Sequence, residues 1–453
     1  MRKYPSAIAV PAAFVLGILL TLGVSPASAL TPADIPAPVT LMAGTTPFVS
    51  TDPATGTSLV VARQSGTIVG QLFDANFVAL DVAFTISESG SAIETPSAEW
   101  NPEDKQWLVV WHDDAWPSKV NGRILALNGT FVTSQLLIAN QDLNGNIFYD
   151  SELVFASYAK DQDGYLVAFK TSIRNIDSAS CQAAMVSWIG ADGTVPTTSA
   201  TPVSSDDPAV SCNQIDNGAD LVYSTVNSEW IVAWYDSASQ QTMIRRVRTG
   251  ASPTVIGTAT AVGTNTSGGS AAVAYDPSRN RVLVGWHTSG TGGNDAVGAF
   301  VSAADVVTPT TIASGSSEFD WRRPRLVYVP ATGSFFAALH SDSEPAVYMV
   351  QIDAATGVAQ APLLLEGAST VRPSISTDGR CLWIVWQSGS NVRGTTTCTI
   401  AAHVPTGPQL AATGQDPTSL VGAGLIASLL GGIGVAMRRR HTVNSRYASS
   451  ESK

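Results

Sequence analysis

Seven polar residues occupy one repeated position in this sequence, and three of them are histidines. Each directly follows a short apolar block, and the set is Arg63, His112, Lys170, Tyr235, His287, His340 and Gln387. The 453-residue chain has only five histidines, so three at one repeated position is a specific signal. Guanidinium, imidazole, amine, phenol and amide groups together donate and accept hydrogen bonds, which suits recognition of a sugar or a peptide. The pattern therefore predicts a ligand-binding face.

Two other interpretations of this position remain open. A residue that leaves a strand for a loop is usually polar, so the set could equally form a solvated rim. The three histidines could also hold a metal ion, because imidazole is a common ligand. They follow the second, fifth and sixth blocks, however, and would have to meet across the centre of the fold. The pattern assigns no metal, and no catalytic residue.

An acidic loop is a second candidate site. Asp142, Asn144 and Asn146 alternate there, and Asp150 and Glu152 follow. Oxygen-bearing side chains at such spacing are typical of calcium loops, but the glycine and the glutamate do not stand where an EF-hand has them. Calcium and an ordinary polar loop both remain possible. The chain contains no GxSxG, HExxH or P-loop motif that would identify an enzyme.

The repeated position is set by an apolar, strand-like block that occurs seven times. Examples are Trp107–Trp111 and Trp230–Trp234, and the last residues of successive blocks are 47 to 65 residues apart. One strand-like segment ending in a turn precedes each block, and two more follow it. Four antiparallel strands repeated about every 50 residues are typical of a β-propeller blade. We expect an all-β, seven-bladed propeller over residues 30–403, with a two-sheet sandwich or a pair of small β domains as the alternative.

The ends of the repeat region predict how the ring closes. The seventh copy lacks a fourth strand, and the segment Ala37–Gly44 resembles the fourth strands of other copies. A first strand that completes the last blade would leave no open sheet edge. The tryptophans of the blocks are expected to be core wedges between blades. Trp116 and Trp321 lie outside the blocks, and either could be an exposed platform.

Both termini carry targeting signals. Arg2 and Lys3 precede an apolar stretch, and Ala27-Ser28-Ala29 has the form of a signal-peptide cleavage site. Residues 1–29 are therefore expected to be removed after Ala29. At the other end, residues 419–437 form an uncharged apolar span followed by Arg438-Arg439-Arg440. That span is long enough to cross a bilayer as a transmembrane helix, and the arginines predict a cytoplasmic stop.

The sequence Leu410-Ala411-Ala412-Thr413-Gly414 before this span identifies the tail. The order of pentapeptide, apolar span and basic stop resembles the LPxTG or LAxTG sorting signal of Gram-positive, especially actinobacterial, wall proteins. The resemblance implies that sortase cuts between Thr413 and Gly414 and joins Thr413 to peptidoglycan. The tail 414–453 would then be removed after a transient membrane span. The linker 404–413 spans at most about 35 Å, which would keep the ring close to the wall.

Charge and cysteines fit an exported protein. Loss of both ends takes away seven basic and two acidic residues, which leaves 18 basic against 34 acidic residues and a net charge of −16. This charge argues against nucleic acid as a partner. Cys381 and Cys398 face each other if Gly389-Ser390 is a hairpin turn, which predicts a disulfide. Cys181 and Cys212 are the remaining pair, by elimination.

The expected function is that of a binding or adhesion protein on the cell surface, with an unknown glycan or protein as ligand. A wall-bound polysaccharide hydrolase or lyase that uses the same face is the alternative from another class. A scaffold that docks another surface protein is a third possibility.

Overall fold

A computed structural model describes residues 30–88, 95–113, 115–174, 180–205, 219–249, 253–367 and 370–398. All of them belong to the first of the two units into which the chain divides, residues 1–402. The predicted signal peptide 1–29 and the linker and sorting tail 404–453 lie outside the described residues. No helix among the described residues is long and apolar enough to cross a membrane.

The described residues form seven sheets, which we number as blades in chain order. Blade 1 has β2 (Thr45–Thr51), β3 (Ser58–Gln64), β4 (Thr67–Phe73) and β5 (Phe84–Thr85). Blade 2 has β6 (Ser97–Asn101), β7 (Gln106–Asp113), β8 (Lys119–Ala126) and β9 (Leu136–Ala139). Blade 3 has β10 (Gln141–Asp142), β11 (Phe148–Ala159), β12 (Gly164–Arg174), β13 (Ser180–Gly190) and β14 (Ser199–Pro202). The described strands of the seven sheets pair antiparallel except for β10 and β14, which pair in parallel.

The second half of the ring repeats this plan. Blade 4 has β15 (Asp220–Ser224), β16 (Glu229–Asp236), β17 (Gln241–Arg248) and β18 (Thr254–Thr264). Blade 5 has β19 (Ala272–Asp276), β20 (Arg281–Ser289), β21 (Asn294–Ser302) and β22 (Val307–Ala313). Blade 6 has β23 (Trp321–Val329), β24 (Ser334–Ser341), β25 (Ala346–Asp353) and β26 (Leu363–Gly367). Blade 7 has β1 (Val39–Ala43), β27 (Thr370–Thr377), β28 (Leu382–Ser388) and β29 (Asn391–Thr397).

The sheets are arranged as a closed ring. We call the innermost strand of each blade its first strand; in blade order these are β2, β6, β11, β15, β19, β23 and β27. Each contacts the first strands of the blades on either side, and β27 of blade 7 contacts β2 of blade 1. The first strands therefore surround a central channel, and the outer strands face away from it. The prediction of an all-β, seven-bladed propeller is confirmed. Two short 3₁₀ helices, Pro32–Asp34 and Lys160–Gln162, are the helices among the described residues.

The apolar blocks are the second strands of the blades, and they form the core between neighbouring blades. Each such strand is covered on both faces by adjoining sheets, which explains why the blocks are apolar throughout rather than alternating. Their tryptophans are at most 3% exposed, as expected of core wedges: Trp107, Trp111, Trp230, Trp234, Trp286, Trp383 and Trp386.

The N-terminal strand closes the ring, as the sequence predicts. β1 pairs antiparallel with β29, and Gly44 N donates to Ser390 O over 2.9 Å. The segment just before β1 is held as well, since Arg393 Nη2 donates to Pro38 O over 2.9 Å and Thr395 Oγ1 donates to Pro36 O over 2.7 Å. Blade 7 is thus built from both ends of the repeat region.

A disulfide joins Cys381 to Cys398 at the base of the last hairpin, which confirms that prediction. Ser388 pairs with Asn391 across the turn, Leu382 pairs with Thr397, and the two cysteine Cα atoms are 4.2 Å apart. Gly389 has a φ of 61°, as the predicted turn requires at its first position. Cys212 lies outside the described residues, and with it the predicted pairing to Cys181.

Candidate ligand site at the mouth of the central channel

The seven residues of the repeated position are not displayed on a face of the ring. Each lies inside the second strand of its blade, one to four residues before that strand ends. Five of them are buried: His112, Lys170, Tyr235, His287 and His340. Arg63 and Gln387 are partly buried. The expectation of an open polar surface at this position is therefore wrong. The physical reason is that the second strands run on past the apolar blocks and stay covered by the next blade.

These residues instead help to join neighbouring blades. Gln387 of blade 7 accepts a hydrogen bond from Thr46 N of blade 1, over 3.1 Å to its Oε1 atom. The His287 ring packs directly on the backbone of Gly269, where a Cβ atom would lie 2.2 Å from Nδ1. Only glycine leaves room for the imidazole there. Polar residues at this position thus provide hydrogen bonds and packing contacts near the places where neighbouring blades meet.

Two of the three histidines meet in one network across the seam between blades 5 and 6. Arg322 lies at its centre, with Nη1 3.3 Å from His287 Nε2, Nη2 3.0 Å from Asp320 Oδ2 and Nε 3.1 Å from Asp342 Oδ2. His340 Nε2 is 3.3 Å from the other oxygen of Asp342. A guanidinium therefore stands between the histidines, and His112 lies in blade 2. Among the described residues, no group of three histidine, cysteine, aspartate or glutamate side chains is placed to hold a metal ion.

A cavity of ≈ 30 Å³ lies on the axis of the ring, at the end where the first strands begin. Six of the seven blades contribute to it, through their first strands or the residues just before them. Its lining is Thr46, Pro47, Phe48, Thr95, Pro96, Leu153, Phe155, Ser270, Arg325, Pro373 and Ser374. We call this cavity the mouth of the channel. Hydroxyl groups, one guanidinium and two aromatic rings converge there.

The mouth is shaped by irregular first strands. The pairing register shifts between Thr45 and Phe48 in blade 1, between Glu152 and Phe155 in blade 3, and between Val371 and Ser374 in blade 7. Such bulges are common beside functional sites, because they re-aim side chains. Proline stands inside the bulge in blades 1 and 7, as Pro47 and Pro373. Proline has no backbone N–H to donate. It is tolerated at these positions because this edge of the first strand faces the channel rather than another strand.

Arg325 is the charged group among the described lining residues of the mouth, and it reaches across the channel. It comes from blade 6, yet its Cζ atom lies 4.2 Å from the centre of the Phe155 ring of blade 3. Its Nη1 atom is 3.5 Å from Asp220 Oδ2 of blade 4. Burial raises the pKa of the Asp220 carboxyl, and the nearby charge of Arg325 acts in the opposite direction. Three blades are thus linked by one side chain.

A second channel carboxyl belongs to Glu99 of β6. Its Oε1 atom accepts a hydrogen bond from Tyr158 N of β11 over 3.1 Å, so it lies between the first strands of blades 2 and 3. Burial is the main cause that raises the pKa of Glu99, the hydrogen bond from Tyr158 N lowers it, and the charge of Asp220 raises it; together they bring the pKa from 4.5 to about 8. A carboxyl group with a raised pKa favours its protonated form up to a higher pH than an ordinary glutamate.

The other sequence candidates lie away from the mouth. Trp116 is 69% exposed, as expected of a platform, whereas Trp321 is 1% exposed and belongs to the core. In the acidic loop, Asp142 Oδ1 accepts hydrogen bonds from Asn144 N and Asn146 N over 2.9 and 2.8 Å, and its Oδ2 accepts from Asn146 Nδ2. These contacts hold the loop itself. The side chains of Asp150 and Glu152 lie outside the described residues.

The sequence does contain a signal for the mouth. Pro47, Pro96, Pro324 and Pro373 each stand shortly before an apolar block, at the matching place in blades 1, 2, 6 and 7. These repeated prolines lie on the strands that face the axis. They indicate the channel as the candidate site, rather than the ends of the second strands.

Two of the solved structures that resemble this chain are the following. One is the β-propeller domain of Myceliophteria thermophila Cps50 (Swd1), at 11% sequence identity and a TM-score of 0.47, covering 80% of this chain and 98% of that chain. Another is an oligogalacturonate lyase in complex with manganese, at 11% identity and a TM-score of 0.48, covering 81% and 92%. Neither likeness bears on ligand or activity. No protein-family model matches the chain, and no curated protein sequence matches it.

Proposed function

We propose that this protein is exported, linked to the cell wall through Thr413, and binds a wall-associated ligand at the mouth of its propeller. The observation that supports the proposed binding is the cavity at the mouth of the channel. Six blades supply hydroxyls, an arginine and aromatic rings to one small cavity on the ring axis. Concave sites with a few converging polar groups in an apolar lining are where proteins usually bind small ligands.

The proposed location at the cell wall rests on the sequence. The LAATG pentapeptide, apolar span and basic stop support sortase anchoring, and the short linker 404–413 favours ligands within the wall layer. A cavity of ≈ 30 Å³ holds about two water molecules. The mouth is therefore suited to the end of a wall glycan or peptide rather than to a whole sugar chain.

The experiment is a calorimetric titration of purified residues 30–403 with wall glycan and muropeptide fragments. Thr95→Trp should fill the mouth and weaken binding at least about tenfold, or 1.4 kcal/mol. Thr332→Trp is the matched control, because Thr332 lies in the turn between β23 and β24, at the opposite end of the strands. Equal binding by wild type and Thr95→Trp, with both proteins folded, would rule out the mouth as the site.

A second candidate function is favoured by Glu99 and Asp220. Glu99 and Asp220 are two channel carboxyls whose pKa values are both raised by burial, and polysaccharide hydrolases use a pair of carboxyl groups for acid and base catalysis. Release of products from wall polysaccharide by wild type but not by Glu99→Gln or Asp220→Asn would favour this function over binding alone.

A further inference from the structure

A second cavity lies in the seam between blades 3 and 4, on the outer side of the ring. Its volume is ≈ 350 Å³ against ≈ 30 Å³ for the mouth, and the two share none of their described lining residues. Sites for small ligands typically have volumes of about 300–1,000 Å³. We call it the seam cavity, and its described lining is Ser204, Ser205, Trp234, Asp236, Met243, Thr258 and Ala259.

One wall of the seam cavity is a bulge in β18. The pairing of β17 with β18 passes from Ile244 opposite Thr260 to Arg246 opposite Ile256, so one residue of β17 stands against the three residues 257–259. The last two of these three line the cavity. Bulges re-aim side chains and are frequent beside functional sites. The irregularity of β18 therefore shapes this side of the cavity.

Arg245 holds both walls of the seam cavity in place. Its side chain is buried, and Nη1 donates to Ser205 O of the blade 3 side over 2.9 Å. Nη2 donates to Gly257 O in the bulge of blade 4 over 2.6 Å. Hydrogen bonds from a charged donor are stronger than neutral ones. The walls are thus fixed before a ligand arrives, which lowers the entropy cost of binding.

The indole N–H of Trp234 is a donor that the described residues leave unsatisfied. The equivalent tryptophans of blades 5 and 7 donate to the fourth strand of the preceding blade, Trp286 Nε1 to Thr264 O over 2.9 Å and Trp386 Nε1 to Glu366 Oε2. Trp234 is 1% exposed, and its buried Nε1 has no hydrogen-bond partner within the described residues. The seam cavity lies at the corresponding place, beside the residues that follow β14. A buried N–H without an acceptor is costly, so a ligand acceptor would stabilise it.

Asp236 supplies the acceptors of the seam cavity. Its Oδ1 atom accepts from Ala238 N and its Oδ2 atom from Ser239 Oγ, each over 3.0 Å, which fixes the carboxylate. A carboxylate has about four acceptor sites, so each oxygen can accept a further hydrogen bond. None of the described lining residues is cationic, so an anionic ligand would meet an unbalanced negative charge.

The geometry points to a carbohydrate site: we propose that the seam cavity binds one pyranose ring of a neutral sugar. An oxygen of the sugar accepts from Trp234 Nε1, and a sugar hydroxyl donates to Asp236. Hydroxyl groups both donate and accept, which matches a lining that presents an N–H, a carboxylate and the Thr258 hydroxyl beside the apolar Met243. This site is separate from the mouth, so the inference goes beyond the proposed function and stands independently of it.

The test follows the indole N–H signals of ¹⁵N-labelled protein, residues 30–413, by NMR during titration with glucose, galactose and mannose. At least one of these sugars should shift the Trp234 signal downfield, because its N–H gains an acceptor. The Trp286 signal is the internal control and should stay in place, since that N–H already donates to Thr264 O. Trp234→Phe and Trp286→Phe assign the two signals.

The uronic acid of the same sugar measures the part played by Asp236. It should bind about tenfold more weakly than the neutral sugar, because its carboxylate faces that of Asp236. Asp236→Asn should remove this difference. Asp113→Asn is the matched control and should keep it, because Asp113 accepts from Ala115 N in the equivalent turn of blade 2, outside the seam cavity.

Three results would overturn the inference. The first is a Trp234 signal that none of the three neutral sugars moves. The second is an equal shift of the Trp234 and Trp286 signals, which would show a general effect of the sugar on the protein. The third is equal binding of a neutral sugar and its uronic acid by the wild type. None of these results bears on ligand binding at the mouth, which the calorimetric titration tests separately.

Discussion

At the scale of single residues, the polar groups that attract notice in the sequence hold the blades together, and the groups in the channel come from elsewhere. His287 and His340 are fixed around Arg322 in a seam. Arg325, Glu99 and Asp220 lie on first strands, in sequence contexts with no recognisable motif. Their partners belong to other blades, so their environment depends on how the sheets pack around the axis. Sequence spacing cannot supply that information.

Glu99 gives a prediction about pH. Its pKa is about 8 in the folded protein, well above the ordinary value of 4.5, so the folded state binds the proton more tightly than the unfolded state. Its stabilising contribution is complete below about pH 4.5 and is lost as pH rises through about 8. We expect the folded protein to lose about 1 kcal/mol between pH 7 and pH 9 on this account. Glu99→Gln should remove that part of the loss.

The measurement is urea unfolding of wild type and Glu99→Gln across this pH range. Glu344→Gln is a control, since Glu344 lies in the turn between β24 and β25, outside the channel. The same pH dependence in wild type and Glu99→Gln would show that Glu99 ionises normally in the fold.

At the scale of elements, the second strands and the presence of one strand before each of them were predictable, whereas the bulged course of the first strands was not. The apolar blocks are easily recognised in the sequence. Both faces of each second strand are buried, so each block is a continuous run of apolar residues. The first strands carry bulges and face the channel on one side, so their pattern is short and mixed. The closing strand β1 was predictable because the seventh copy lacks a fourth strand and residues 37–44 resemble one. The hairpin of β28 and β29 was predictable because its register follows from the turn at Gly389-Ser390.

Closure by β1 gives a prediction about cooperativity. Deletion of residues 37–44 removes the pairing to β29 and exposes the edge of blade 7. We expect the whole ring to unfold at a lower temperature in a single transition, because blade 7 also contacts blade 1 through β27 and β2. Calorimetry of the deletion variant is the measurement.

The disulfide provides the control for this experiment. Cys381 and Cys398 are 17 residues apart, and a loop of this size contributes about 3 kcal/mol in the chain-entropy model. Cys381→Ser with Cys398→Ser should therefore cost less than the strand deletion. A deletion variant that melts at the wild-type temperature would contradict closure by β1.

At the scale of the whole molecule, the fold follows from the period of the sequence, and the proposed function joins that fold to its predicted location. Seven copies of one unit, preceded by the additional strand β1, specify a closed seven-bladed ring. This holds independently of which ligand the ring binds. Propellers serve many functions, so the ring alone does not select one. In the function proposed above, the mouth supplies the chemistry and the predicted sorting signal supplies the place.

The central claim, that this ring works at the cell wall, is tested most directly by the mass of the mature protein. Wall fragments released by a muralytic enzyme should carry residues 30–413, with the carbonyl carbon of Thr413 amide-linked to a peptidoglycan amine. A protein that partitions with membranes and retains residues beyond Gly414 would contradict the claim, and would make the apolar span 419–437 a plain membrane anchor.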